Sequence, residues 1–92
     1  MFVSYGAETV KKFDAEALKA VLDDFANNEK YGMVLRAKGI IESTDGRWIH
    51  FDYIPGESDV RFGRADVIGR LCIIGSNLNK EAISVALNVE FN

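Results

Sequence analysis

Residues 33–42, Met-Val-Leu-Arg-Ala-Lys-Gly-Ile-Ile-Glu, form the most strand-like stretch of the chain, a long apolar run with Arg36 and Lys38 set into it. Side chains alternate between the two faces of a strand. Met33, Leu35, Ala37, Gly39 and Ile41 therefore fall on one side and read as core. Val34, Arg36, Lys38, Ile40 and Glu42 fall on the other, where aliphatic residues flank two cations. Such a face is neither core nor ordinary wetted surface.

Downstream, Ser43-Thr44-Asp45-Gly46 is a hairpin signal, Asp-Gly being a favoured turn pair. The next strand spans Arg47 to Ile54, with Ile49, Phe51 and Tyr53 alternating against Trp48, His50 and Asp52. Pro55-Gly56-Glu57-Ser58 supplies a second turn. In the segment from Asp59 to Arg64, Val60 and Phe62 alternate with Asp59 and Arg61. Arg70 to Ile74 is apolar on both faces, which places it centrally in a sheet.

Upstream, Phe2 to Tyr5 reads as a short strand extending weakly toward Val10. Asp14 is positioned to cap a helix by accepting from its first free amides, with Phe13 and Leu18 at the positions of a hydrophobic staple. Leu18, Val21, Leu22 and Phe25 follow as one apolar stripe. Near the end, Asn79 with Leu78 and Ile83 repeats this start, and Ile83, Ala86 and Leu87 form the second stripe. The order β-α-β-β-β-β-α predicts an α+β fold, a two-layer sandwich with both helices on one face of a largely antiparallel sheet. Leu18, Leu22, Phe25, Leu35, Phe51, Ile73 and Leu87 are its expected core.

Ninety-two residues with no internal linker predict a single domain over residues 1–92. A hydrophobic content of 48% and a single proline fit an ordered globular chain. The net charge of −3 argues against a nucleic-acid binder, which needs surplus Lys and Arg at phosphates. One cysteine excludes an internal disulfide and fits a reducing compartment. No signal peptide is visible, and no apolar run approaches the ~20 residues that cross a membrane. A cytoplasmic location and no membrane partner are the expectations.

Several segments together resemble a known family. These are Val34-Leu35-Arg36-Ala37-Lys38-Gly39, then Arg70-Leu71-Cys72-Ile73-Ile74-Gly75 leading into Asn77-Leu78-Asn79 and the last helix, with Phe13-Asp14 before the first. The chain resembles the C-terminal domain of CobW-type P-loop GTPases, proteins linked to cobalamin synthesis and to cobalt and zinc handling. In that family the nucleotide site and a cysteine-rich metal motif lie in a preceding domain. This sequence contains neither a Gly-x-x-x-x-Gly-Lys-Ser/Thr segment nor a Cys-x-Cys-Cys cluster. The resemblance therefore implies a place in a GTP-dependent metallochaperone system and transfers no catalytic residue. The GTPase domain is absent from this chain, which is either an excised domain or a freestanding copy.

Arg36, Lys38, Trp48, His50, Asp52 and Arg61 are the candidate interaction residues. Alternation across the hairpin sets them on the sheet face away from the helices. The plainer reading is a solvated face on which Arg36 or Lys38 pairs with Asp52. Trp48 favours an interface, where tryptophan concentrates. His50 and Cys72 are too few soft ligands for a zinc site, with Asp52 the one obvious helper, so no metal site is expected. No nucleophile and base pair can be assembled, and neither a catalytic nor a cofactor-binding residue is expected.

The leading expectation is a non-catalytic interaction domain, with no cofactor of its own, docking on a P-loop GTPase domain or a client metalloprotein. Assembly into a homo-oligomer is a further expectation. The alternative is a freestanding small-ligand or nucleic-acid module using the same open sheet face. That reading wants aromatics on the central strand and a basic surround, and residues 33–42 hold no aromatic.

Overall fold

The computed structural model describes residues Met1–Asn92. Strand β1 covers Phe2–Thr9, β2 covers Lys12–Phe13, and helix α1 covers Ala15–Asn27. A 3-10 turn at Glu29–Tyr31 leads into β3, Met33–Ser43. Then come β4 at Trp48–Ile54, β5 at Glu57–Gly63, β6 at Gly69–Ser76 and α2 at Lys80–Leu87. The sheet order is β1-β6-β3-β4-β5, antiparallel throughout, with the short β2 lying parallel to the end of β3. β3 and β6 thus lie inside the sheet, and both helices cover one face. No helix is long and apolar enough to cross a membrane.

The local signals act as elementary chemistry requires. Asp14 Oδ2 accepts from the Ala17 amide at 2.9 Å, and Asn79 Oδ1 accepts from the Ala82 amide at 3.1 Å. Leu18, Leu22 and Phe25 of α1 and Ile83 and Leu87 of α2 turn inward. They meet Ala37, Ile41, Ile49, Phe51, Tyr53, Leu71 and Ile73 in one continuous core. Pro55-Gly56 is a two-residue connection between the paired Ile54 and Glu57, with Gly56 at φ +82 as a type II turn demands. The β3–β4 loop is longer than the Asp-Gly pair alone. It spans Thr44 to Arg47, closed by the Gly46 amide donating to the Ser43 carbonyl at 3.0 Å.

One expectation needs correction, and two features go beyond the sequence reading. The alternation read along residues 33–42 breaks at a bulge between Val34 and Arg36. One extra residue there turns Val34 into the core, 3% exposed, and leaves Leu35 half-buried and Met33 exposed. Leu35 is therefore not a core residue, whereas Ala37 and Ile41 keep their expected face. The first strand runs on to Thr9 because it pairs with β6 along its whole length. Finally, Tyr31, which had no assigned role, is buried in the 3-10 turn with its ring edge-on to Phe25 at 4.9 Å.

Gly39 shows how tightly the centre is built. A Cβ there would lie 2.6 Å from the Arg70 carbonyl oxygen and 2.6 Å from Phe51 Cε2. The Phe51 ring, opposite Gly39 in register, fills the space that glycine leaves.

Candidate interaction face

The sheet face opposite the helices is bare, and strand register fixes what stands on it. Arg36, Lys38 and Ile40 of β3 are flanked on β6 by Ile74, Cys72 and Arg70 in that order. On the other side Lys38 is opposite Asp52, Ile40 opposite His50 and Glu42 opposite Trp48. One strand further, Asp52, His50 and Trp48 face Asp59, Arg61 and Gly63. All six sequence candidates, Arg36, Lys38, Trp48, His50, Asp52 and Arg61, therefore share this face. Arg70, which the sequence reading passed over as the polar start of an apolar strand, joins them.

Asp52 is the electrostatic centre of the group. Its two carboxylate oxygens accept from Arg36 Nη2 at 3.4 Å and from Arg61 Nη1 at 3.3 Å. Arg61 also donates to Asp59 at 2.6 Å. The pairing expected between Asp52 and a β3 cation thus goes to Arg36, and Lys38 enters none of the chain's ion pairs. Exposed pairs of this kind contribute about 0–1 kcal/mol each.

His50 is held in place. Its Nε2 lies 2.8 Å from the Arg64 carbonyl oxygen, which can only accept, so Nε2 carries a proton and donates it. Cys72 Sγ lies 3.5 Å from Ser4 Oγ. No three His, Cys, Asp or Glu side chains come together in a way that would hold a metal ion. Trp48 is half-buried at the far end of the face.

The apolar part of the face gathers at the opposite end. Ile74 is 36% exposed, and Phe2 and Met33, the partners of Ser76 on either side of β6, are exposed as well. Such unburied aliphatic and aromatic groups on a sheet layer that no helix covers are characteristic of contact surfaces.

A second depression, about 570 Å³, lies between the end of α1 and the start of β3, walled by Phe25, Val34, Tyr53 and Pro55. The Tyr53 hydroxyl is buried there without a hydrogen bond. Burial pushes the Tyr53 phenol up, and the Asp23 carboxylate adds to that. Ser58 Oγ falls short of an ordinary hydrogen bond. Its approach, more than that of Lys19, nevertheless holds the Asp23 carboxyl below the usual range. Nothing in the sequence pattern marked Tyr53 as polar, because its position reads simply as core.

Comparison with known proteins agrees with the fold. No curated protein matches the chain in sequence. Two solved structures share its architecture, the Zn(II)-bound YjiA GTPase from E. coli and a Zn(II)-bound triple mutant of YjiA GTPase. The TM-scores are 0.74 and 0.76 at 20% and 18% identity, and 95% of this chain is covered in each case. The chain spans 29% of the length of those structures. Residues 2–89 match the family described as cobalamin synthesis protein cobW C-terminal domain. The chain therefore belongs to the CobW C-terminal domain family.

Proposed function

We propose that the chain is a non-catalytic docking domain of a CobW-type GTPase system, and that its open sheet face is the contact surface. The observation that carries this reading is the composition of that face: Ile40, Ile74, Cys72 and Trp48 stand among Arg36, Lys38, Arg61 and Arg70 on a layer no helix covers. A face left permanently in water would carry polar side chains at those positions. The partner is a P-loop GTPase domain of the same family or a client metalloprotein, and a second copy of the chain is the remaining candidate. Metal is cargo of the larger system on this reading, held elsewhere.

A nucleic-acid module gains less support: Trp48 and His50 of β4 put rings on the open face, but the central strand β3 carries none and a net charge of −3 leaves no cationic surplus for phosphates. Chemistry in this chain gains none either, because these residues contain no phosphate loop. The experiment is a titration of the chain with the GTPase domain of a CobW-type protein, comparing wild type with Trp48→Ala. Weakening by up to about 2 kcal/mol with the fold intact is expected if Trp48 is an anchor. Unchanged affinity for both Trp48→Ala and an Arg36→Glu, Lys38→Glu double variant would refute the assignment.

A further inference from the structure

Four cations, Arg36, Lys38, Arg61 and Arg70, and one carboxylate, Asp52, line a hollow of about 430 Å³ on the open sheet face. Ile40 and Cys72 give it apolar walls. Ion pairing within it is incomplete. Asp52 is divided between Arg36 and Arg61, and Arg61 is held more closely from outside the hollow by Asp59. Arg70 reaches Glu8 only at 3.8 Å. Lys38 stands in register between Asp52 and Cys72 and has no ionic partner. Charge-assisted N–H···O bonds are best at about 2.7–2.9 Å, so Arg36, Lys38 and Arg70 all keep unused donor capacity.

We infer that this hollow receives a carboxylate from a partner protein, seated on Lys38 between Arg36 and Arg70, while apolar side chains of the same segment cover Ile40 and Ile74. The inference rests on the docking role proposed above and adds the partner's chemistry to it. Charge complementarity selects an acidic segment: an entering carboxylate supplies the counter-ion that no group of this chain gives Lys38. A basic segment would set a further cation against three under-paired ones, which is the repulsive half of specificity. A protein carboxylate fits better than a nucleic-acid phosphate: of the two rings beside the hollow, Phe51 is buried in the core and His50 is tied to the Arg64 carbonyl, and a net charge of −3 leaves no cationic surplus for a phosphate backbone.

The test titrates the whole chain with three short blocked peptides in which leucine alternates with glutamate, serine or lysine, following backbone amide shifts. The glutamate peptide should move the amides of Lys38, Ile40 and Cys72. Lys38→Glu and the stem-preserving Lys38→Met should each weaken that binding about tenfold or more, as loss of a charge-assisted contact implies. Lys30→Glu, the same charge change in the 3-10 turn on the helical side, should leave it unchanged. Equal shifts from the serine or lysine peptide would overturn the carboxylate inference while leaving the docking face standing. So would inorganic phosphate producing shifts as large as the peptide's, and so would no shift with any peptide. Shifts confined to α1 and α2 would instead overturn the docking role itself.

Discussion

His50 occupies space that glycine at position 63 leaves open: a Cβ on Gly63 would lie 2.8 Å from His50 Cδ2. The same ring donates to the Arg64 carbonyl one residue further on. The imidazole is thereby pinned against the edge strand β5.

Gly63→Ala should therefore dislodge the imidazole. The ring is a side-chain end and can turn aside, so the stability loss should be modest, about 0.5–1.5 kcal/mol for one broken hydrogen bond. The His50 ring 15N shifts are the sensitive measurement. An unaltered Nε2–H signal in the variant would show that Gly63 is not what makes room for the ring.

Gly39→Ala is a harsher change. The added methyl meets the Arg70 backbone as well as Phe51 and Leu71, and backbone cannot turn aside. Overpacking of this kind costs about 1–3 kcal/mol. Thermal unfolding should show Gly39→Ala falling well below Gly63→Ala; equal midpoints would contradict the close approach of β3 and β6.

The corrected facing of β3 gives a second contrast. Leu22 is fully buried, so Leu22→Ala should cost about 2–5 kcal/mol, and Phe51→Ala a similar amount. Leu35→Ala, beside the bulge and half-buried, should cost clearly less. Urea midpoints of the three variants decide this, and a Leu35→Ala loss as large as that of Leu22→Ala would restore the uninterrupted alternation.

Much of the architecture is legible in the sequence because caps, turns and period-two alternation act locally. Asp14, Asn79, Pro55-Gly56 and the Ile49-Phe51-Tyr53 series each state their structure within a few residues. What escapes is set by distant partners. Nothing near Leu35 announces a bulge, Lys12–Phe13 become a strand only by lying beside Glu42 and Ser43, and the second half of β1 is held by β6. The six candidates share a face because alternation dictates it. That Asp52 takes Arg36 and Arg61 and leaves Lys38 bare depends on side-chain geometry that no spacing rule contains.

The β3–β4 turn should titrate unusually low. The Arg47 side chain donates to the Asp45 carboxylate, and its backbone amide adds a second contact, holding Asp45 at about 2 against an ordinary 3.8. A depressed carboxylate favours folding above its unfolded pKa, and that contribution disappears as pH falls through the folded value. The loss for Asp45 thus falls between about pH 4 and pH 2. A carboxyl 13C titration should find the Asp45 midpoint near 2, moving up toward the ordinary value in Arg47→Ala. A normal midpoint in the wild type would mean that the Asp45–Arg47 contact does not persist in solution.

The central claim, that the open sheet face is the docking surface, is tested most directly by amide hydrogen exchange of the chain with and without the GTPase domain of a CobW-type protein. Docking through this face predicts added protection in β5 and at the open-face end of the sheet around Trp48, Lys38 and Cys72, with α1 and α2 unchanged. Protection gained around Val21 and Ala86, with the Trp48 strand unaffected, would place the interface on the helical layer and contradict the account.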